Sequence, residues 1–230
     1  MKASLVIPTY KEKNNIGRLL SAINLLAIND LEIIVVDDNS PDNTAEEVEN
    51  LKNQFNSKIK LLRRTGQRDL SLSVLDGFKM AESEIIGVMD ADFSHPPDII
   101  PKMLEKLKNA DLVVASRNIF GAETKNWPWA RRINAWIAKN LAKTLIKTAS
   151  DPLSGFFFFK KNVIKNIILK PLGYKILLEI LVKGTYQKVE EVPFVFEDRK
   201  VGQSKLNIKI ILKFLFHILK LHLWKISHLK

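Results

Sequence analysis

The 230-residue sequence predicts an α/β fold, a mostly parallel sheet flanked by helices. Three observations carry that expectation. From residue 1 to 117 short apolar runs alternate with amphipathic stretches, the pattern of strands joined by crossover helices. The run LEIIVVDD is apolar on both faces, as a strand covered on both sides must be. Successive runs also end in charged residues, which gathers polar groups at one edge of a parallel sheet.

Each element follows from local pattern. ASLVIP reads as the first strand. A helix over Ile16–Leu26 is expected from the apolar spacing of Ile16, Leu19, Leu20 and Ile23. LEIIVVDD is the second strand, and Asp42 or Thr44 suits the cap of a helix running through Leu51. IKLLRR, a helix over Leu70–Ala81 and the strand IIGVMDAD come next. Pro96 and Pro97 suit a first helical turn leading into Asp98–Leu107, and DLVVASR is the fifth strand. Beyond residue 117 the regularity weakens to a basic Trp-rich stretch, a helix near 174–183, a strand KVEEVPFVF and a helical tail. The expected division is a domain over 1–205, containing an amphipathic helix within 127–150, and a C-terminal helix over 206–230.

Composition narrows the class. With 46% hydrophobic and 27% charged residues the chain can build a large core and is too apolar for disorder. The absence of cysteine excludes disulfides and thiolate metal sites. MKASLVIPTY is too briefly apolar for a signal peptide and reads instead as the first strand of a protein facing the cytosol. The net charge of +11 is concentrated in two segments. Trp127–Ser150 holds Arg131, Arg132, Lys139, Lys143 and Lys147 and no acid, and Glu197–Lys230 holds eight cations against two acids. Such surfaces attract nucleic acid, anionic lipid or phosphorylated substrates.

The segment VMDADFSHPP sets Asp90 and Asp92 one residue apart where the fourth strand ends. Asp92 and Asp98 could cap helix starts, with Asp90 satisfying loop amides. With one residue between them in an extended segment, however, side chains project to the same side, and carboxylates held that close repel unless a cation lies between them. Mg²⁺ or Mn²⁺ suits such oxygen ligands; zinc does not, with no cysteine and three of the four histidines in the tail.

VIPTYKEKNNI, VVDDNSPDNT, MDADFSHPPD, ASR and EVPFVFEDRKVGQSKL, in that order, resemble the signature of dolichol-phosphate mannose synthases, family 2 glycosyltransferases with the nucleotide-sugar-binding GT-A fold. The resemblance implies that Pro8, Tyr10, Glu12 and Asp38 hold the donor nucleoside. It places Asp90, Ala91 and Asp92 against the diphosphate and sugar, with Asp92 the leading metal ligand and Ser94 at a second ligand position. Arg117, Arg131, Arg199 and Lys205 match basic positions that meet the donor diphosphate (Arg199, Lys205) or the acceptor phosphate (Arg117, Arg131). Asp92, Arg117 and Arg199 are the implied catalytic set. RRTGQRDLSLSVLDGF departs from the family pattern, since Arg68, Ser71 and Ser73 replace a glycine-rich loop that keeps only Gly66.

The implied reaction is inverting, metal-dependent transfer of a hexose to dolichyl or polyprenyl phosphate, with mannose from GDP-mannose favoured. UDP-glucose as donor, or a hydroxyl acceptor, are the alternatives. A hydroxyl acceptor needs a general base, whereas a phosphate monoester is already anionic. Asp151 is placed to orient the acceptor or a nearby arginine, or to cap a turn. Glu179 is expected to pair with a site arginine. Trp129, Ile133, Trp136 or Ile137, Leu141 and Leu145 recur at helical spacing among cations, and Lys209, Lys213, His217 and Lys220 form a narrow stripe along an apolar tail. Neither stretch has the roughly 20 uninterrupted apolar residues of a span. Both describe helices lying in a membrane interface, here its cytoplasmic face. Nucleic-acid binding is disfavoured, because acids at the strand ends would repel a phosphate backbone.

Overall fold

The computed structural model describes residues 1–55, 58–125, 127–173, 175–197 and 208–228. A seven-stranded sheet runs in the order β3-β2-β1-β4-β7-β5-β8. Its strands are β1 (Ala3–Thr9), β2 (Leu31–Asp37), β3 (Lys58–Arg63), β4 (Ile85–Val88), β5 (Leu112–Ser116), β7 (Phe157–Lys160) and β8 (Val189–Pro193). All pairings are parallel except those of β7 with β4 and β5. A separate parallel pair joins β6 (Glu123–Lys125) to β9 (Val195–Glu197). The expected single strand KVEEVPFVF is therefore two, β8 in the main sheet and β9 in the small one.

Strand period two divides the core between the two faces. Leu5, Ile7, Ile33 and Val35 meet α1 (Lys13–Leu25) and α4 (Ile100–Leu107) on one face. Val6, Ile34, Val36, Ile86 and Val88 meet α3 (Leu70–Met80) and α6 (Ile176–Lys183) on the other. α1 buries the four residues that its spacing indicates, Ile16, Leu19, Leu20 and Ile23.

Sequence pattern missed two strands, the short β6 and, in the main sheet, β7. Phe156, Phe157, Phe158 and Phe159 are all fully buried, alternating between the two core faces. Four identical apolar residues have no period to read, yet each contributes roughly 1.5–3 kcal/mol by burial. Gly87 makes room for them: a Cβ there would lie 2.2 Å from Cε1 of Phe158.

Ser71 and Ser73 do not belong to a loop. Asp69 caps α3 by accepting from the amides of Ser71 (2.9 Å) and Leu72 (3.2 Å), which draws both serines into the buried side of the helix. For α2 (Thr44–Leu51) the carboxylate of Asp42 accepts from the amide (3.2 Å) and hydroxyl (2.6 Å) of Thr44, while Asn43 adopts φ 64°. Pro97 opens a 3₁₀ turn over Pro97–Ile99 that feeds α4.

The last helices are α5 (Trp129–Lys143) and α7 (Ile208–His228). α7 sets Ile218 and Leu221 into the same core cluster as α6, so it is packed on the domain expected over 1–205. His217, read from sequence as part of a polar surface stripe, is fully buried, and Lys220 is half-buried with its ammonium 3.4 Å from the carbonyl of Lys170. The outward face of α7 is apolar instead.

Candidate active site

The carboxyl ends of β1, β2, β3, β4 and β5 open onto one rim. Three non-glycine residues there adopt left-handed backbone: Lys11 after β1 (φ 60°), Asn39 after β2 (φ 57°) and Phe93 after β4 (φ 60°). For a bulky residue such as Phe93 this is a costly conformation, of the kind that collects at functional sites. The first two loops are tied together. Asp37 accepts from the hydroxyl of Thr9 (3.0 Å) and from the amide (2.9 Å) and hydroxyl (2.5 Å) of Ser40, whose oxygen accepts the amide of Lys11 (3.0 Å).

Of the residues expected at the nucleoside, Pro8 is buried within β1, just beyond Val6, where pairing with β4 ends. Tyr10 lies under Arg68, whose guanidinium is 4.7 Å from the ring centroid and donates to its hydroxyl. Glu12 accepts from Asn15 (2.7 Å), and its amide donates to Thr44 Oγ1 (3.0 Å). Asp38 is buried, pairs with Arg64 and accepts the amide of Asp69 (2.9 Å). Burial pushes its carboxyl above the ordinary range, and Arg64 offsets this only in part. Arg64 also reaches Asp76 (2.9 Å) and the hydroxyl of Ser73 (3.2 Å). Asp38 thus reaches the rim with its oxygens already committed to the fold.

After β4, Ala91 is buried and the Asp90 side chain is about one-third exposed. Ser94, expected as a metal ligand, is buried and donates both its amide (3.1 Å) and its hydroxyl (2.6 Å) to Asp92 Oδ1. It braces Asp92 in a local Asx turn, and neither Asp92 nor Asp98 caps the helix that follows, whose 3₁₀ turn and α4 start after Pro96 and Ile99 without a side-chain cap. Buried His95 accepts the amide of Asp90 at Nδ1 (3.1 Å). Burial lowers the His95 pKa to about 3, against the pull of Asp92, so the ring is neutral and suited to that acceptor role. Gly155 closes this corner, since a Cβ there would lie 3.0 Å from Asp90 Oδ2 and from His95 Cε1. The donor set is all hard oxygen. Among the described residues no three acidic, histidine or cysteine side chains form a ready cage. One or two carboxylates with water and substrate phosphate completing the shell is nevertheless how Mg²⁺ is commonly held, so these residues fit such a cation.

Arg117, after β5, donates from Nε (2.7 Å), Nη2 (3.0 Å) and its amide (3.1 Å) to Asp151, which is 2% exposed. Burial opposes both charges, yet each partner holds the other ionised: Asp151 falls below the carboxylate range and Arg117 rises above its own. The amides of Ser150 (2.9 Å) and Asp151 (3.2 Å) donate to Glu191, fixing the loop before β7. Arg131 of α5 lies 4.4 Å from the Trp127 ring centroid, and Arg117 is 5.8 Å from the same ring. Arg117, Arg131, Asp151 and Lys175 line a cavity of 1190 Å³ whose outer walls come from α5 and α7, with Trp136, Phe214 and Leu215 among them. Lys175 is a cation the sequence reading passed over. Nothing in PLGYKILLEI distinguishes it from a solvated lysine before a helix. Glu179 pairs with Lys183 and accepts the amide of Lys170 (3.0 Å) rather than meeting a site arginine. Arg199 and Lys205 lie outside the described residues.

α5, which contributes Trp136 and Ile137 to the cavity lining, exposes Trp129 (76%), Ile133, Trp136 (62%) and Ile137. α7 exposes Leu212, Phe216, Leu219 and Leu223, and Phe120 stands fully in solvent. Leu145, by contrast, turns into the core. Among the described residues no helix is long and apolar enough to cross a membrane.

The sequence model of glycosyl transferase family 2 matches residues 4–168. A dolichol-phosphate mannosyltransferase of Pyrococcus furiosus is 44% identical over 98% of this chain, which spans 65% of that protein's length. One from Saccharomyces cerevisiae is 36% identical over 96% of this chain and 87% of its own. Among solved structures, glucosyl-3-phosphoglycerate synthase from Mycobacterium tuberculosis in complex with Mg²⁺ and uridine diphosphate superposes with a TM-score of 0.68 over 97% of this chain and 79% of that one, at 15% identity. The architecture is the GT-A fold, as the motifs imply.

Proposed function

The chain belongs to glycosyl transferase family 2, and from that premise we propose that it moves a mannosyl group from GDP-mannose to the phosphate of a polyprenyl phosphate at a membrane surface. One observation carries the reading. Arg117 and Arg131 line a 1190 Å³ cavity that residues of α5 and α7 also line, and both of these helices expose apolar side chains. Guanidinium groups suit phosphate, and exposed Trp, Phe and Leu flanked by lysines suit the lipid interface from which a polyprenyl chain must be drawn. The Pyrococcus and Saccharomyces relatives carry the matching name, dolichol-phosphate mannosyltransferase.

The chemistry follows from the charges. A phosphate oxygen of the acceptor forms the bond to the anomeric carbon as the bond to the donor's β-phosphate oxygen breaks, and GDP leaves with the electron pair. The acceptor is already anionic, so no residue has to remove a proton. Direct displacement inverts the anomeric centre. Arg117, kept charged and fixed by Asp151, and Arg131 orient the acceptor phosphate. Tyr10 and Glu12 flank the donor nucleoside, and Ala91 brings backbone close to the diphosphate. Asp92, braced by Ser94, and Asp90 would hold Mg²⁺ or Mn²⁺, which neutralises the departing diphosphate when bound. Arg199 and Lys205 are assigned to the donor phosphates by motif resemblance.

Purified chain, Mn²⁺ and a short polyprenyl phosphate, offered labelled GDP-mannose and UDP-glucose in separate reactions, test the donor assignment. Solvent-extractable label from GDP-mannose at least tenfold above that from UDP-glucose is expected. The reverse preference overturns the assignment.

A further inference from the structure

Lys175 precedes α6, and its ammonium donates to the carbonyl of Leu153 (3.0 Å) in the loop that carries both Asp151 and Gly155. It lines the same cavity as Arg117, Arg131 and Asp151. An ammonium has three donors, and among the described residues Leu153 takes one while no carboxylate forms an ion pair with it. Asp151 is engaged bidentately by Arg117. Lys175 is half-buried, and a cation partly withdrawn from water without a carboxylate ion pair carries a desolvation cost that an incoming anion would relieve.

We propose that Lys175 is a third cation of the acceptor site, donating to a non-bridging oxygen of the polyprenyl phosphate beside Arg117 and Arg131. The assignment rests on the acceptor reading above and adds a binding residue to it. The charges that act on Lys175 come from four parts of the fold: Arg117 after β5, Asp151 before β7, Asp90 after β4 and Arg131 on α5. Burial, then repulsion from Arg117, lowers its pKa to about 8, while Asp151 and Asp90 pull the other way. Arg117, Arg131 and Lys175 thus line one cavity, a set of cationic donors suited to a phosphate group. A lysine also supplies what the two arginines do not, a compact charge that can follow the phosphate as it becomes a diester.

The competing role is mechanical, with Lys175 merely pinning the 151–155 loop through Leu153. Lys175→Gln separates the two, because it keeps an N–H donor near Leu153 and loses the charge; Lys175→Arg keeps the charge. Calorimetric titration with farnesyl phosphate and, separately, with GDP plus Mn²⁺ is the measurement, with thermal unfolding run alongside. Lys175→Gln is expected to weaken farnesyl phosphate binding about 10- to 100-fold, the scale of one hydrogen bond to a charged group, with GDP affinity within about threefold of wild type. Lys175→Arg should recover most of the loss. Unchanged farnesyl phosphate affinity in Lys175→Gln overturns the assignment, as does an equal loss of both ligands together with a lower unfolding temperature. Should the wild-type chain bind GDP but no farnesyl phosphate, the acceptor reading itself fails, an outcome distinct from failure of Lys175 alone.

Discussion

Replacing Asp151 by Ala removes both side-chain acceptors of Arg117, at 2.7 and 3.0 Å, and the acceptor of its amide at 3.1 Å. Both side chains are largely withdrawn from solvent, at 3% and 18% exposure, so the remaining guanidinium is a buried charge without its partner. Breaking such a pair from one side costs about 3–5 kcal/mol. For a chain of this size each kcal/mol lowers the unfolding midpoint by about 2–4 °C, which gives a drop of roughly 6–20 °C. The sign with pH follows from Asp151. Its folded pKa is lowered from 3.8, so its stabilisation is fully present above about pH 4 and is lost as acid takes the pH down through the folded value. Scanning calorimetry of wild type and Asp151→Ala at pH 7 and at the lowest pH where both fold should show the gap between them narrowing in acid. A gap under about 1 °C at pH 7, or one that widens in acid, refutes the reasoning.

Further outcomes follow from other contacts. Asp92→Ala should reduce transfer by at least about 100-fold and Ser94→Ala by less, both without loss of fold by circular dichroism; near-normal turnover in Asp92→Ala would remove the carboxylate from the mechanism. Gly87→Ala should destabilise by about 1–3 kcal/mol through the 2.2 Å clash with Phe158, and Phe158→Leu in the same chain should recover part of it, as a denaturant-unfolding double-mutant cycle can measure. Burial lowers the His217 pKa, with Glu179 opposing and Lys220 and Lys183 reinforcing, so its neutral form stabilises above about pH 6.5 and that contribution is lost as the pH falls. His217→Leu should accordingly flatten the decline in unfolding free energy between pH 7 and 5, by at most about 1.4 kcal/mol per pH unit. Changing the exposed Phe216 and Leu219 to Ser should lower co-flotation with anionic vesicles several-fold and leave the unfolding temperature within about 2 °C.

Much of this architecture is legible in the residues because parallel strands and their helices impose opposite periods. Ile16, Leu19, Leu20 and Ile23 can be assigned to a buried face from spacing alone, and the acids at the end of β2 and just after β4 to the rim. β7 was hidden because four consecutive phenylalanines carry burial without period, and only the gap left by Gly87 shows how they fit. His217 was misread for a related reason. A narrow polar stripe on an apolar helix ordinarily faces water, yet α7 turns part of that stripe toward α6 and its apolar side outward. At the site, strand-end position located Asp90, Asp92 and Arg117. It could not reveal that Ser94 stands behind Asp92, that Arg64 holds Asp38, or that Lys175 enters the cavity across more than 50 residues of chain from Arg117, because those are tertiary contacts with no local signature.

The central claim is that cations lining the cavity take a nucleophile that already bears its negative charge. Initial rates with farnesyl phosphate and with farnesol, at equal concentration and saturating GDP-mannose, test it most directly. The account predicts mannosyl transfer to the phosphate and none to the alcohol above background. Comparable transfer to farnesol would require a general base to take the hydroxyl's proton, and would contradict it.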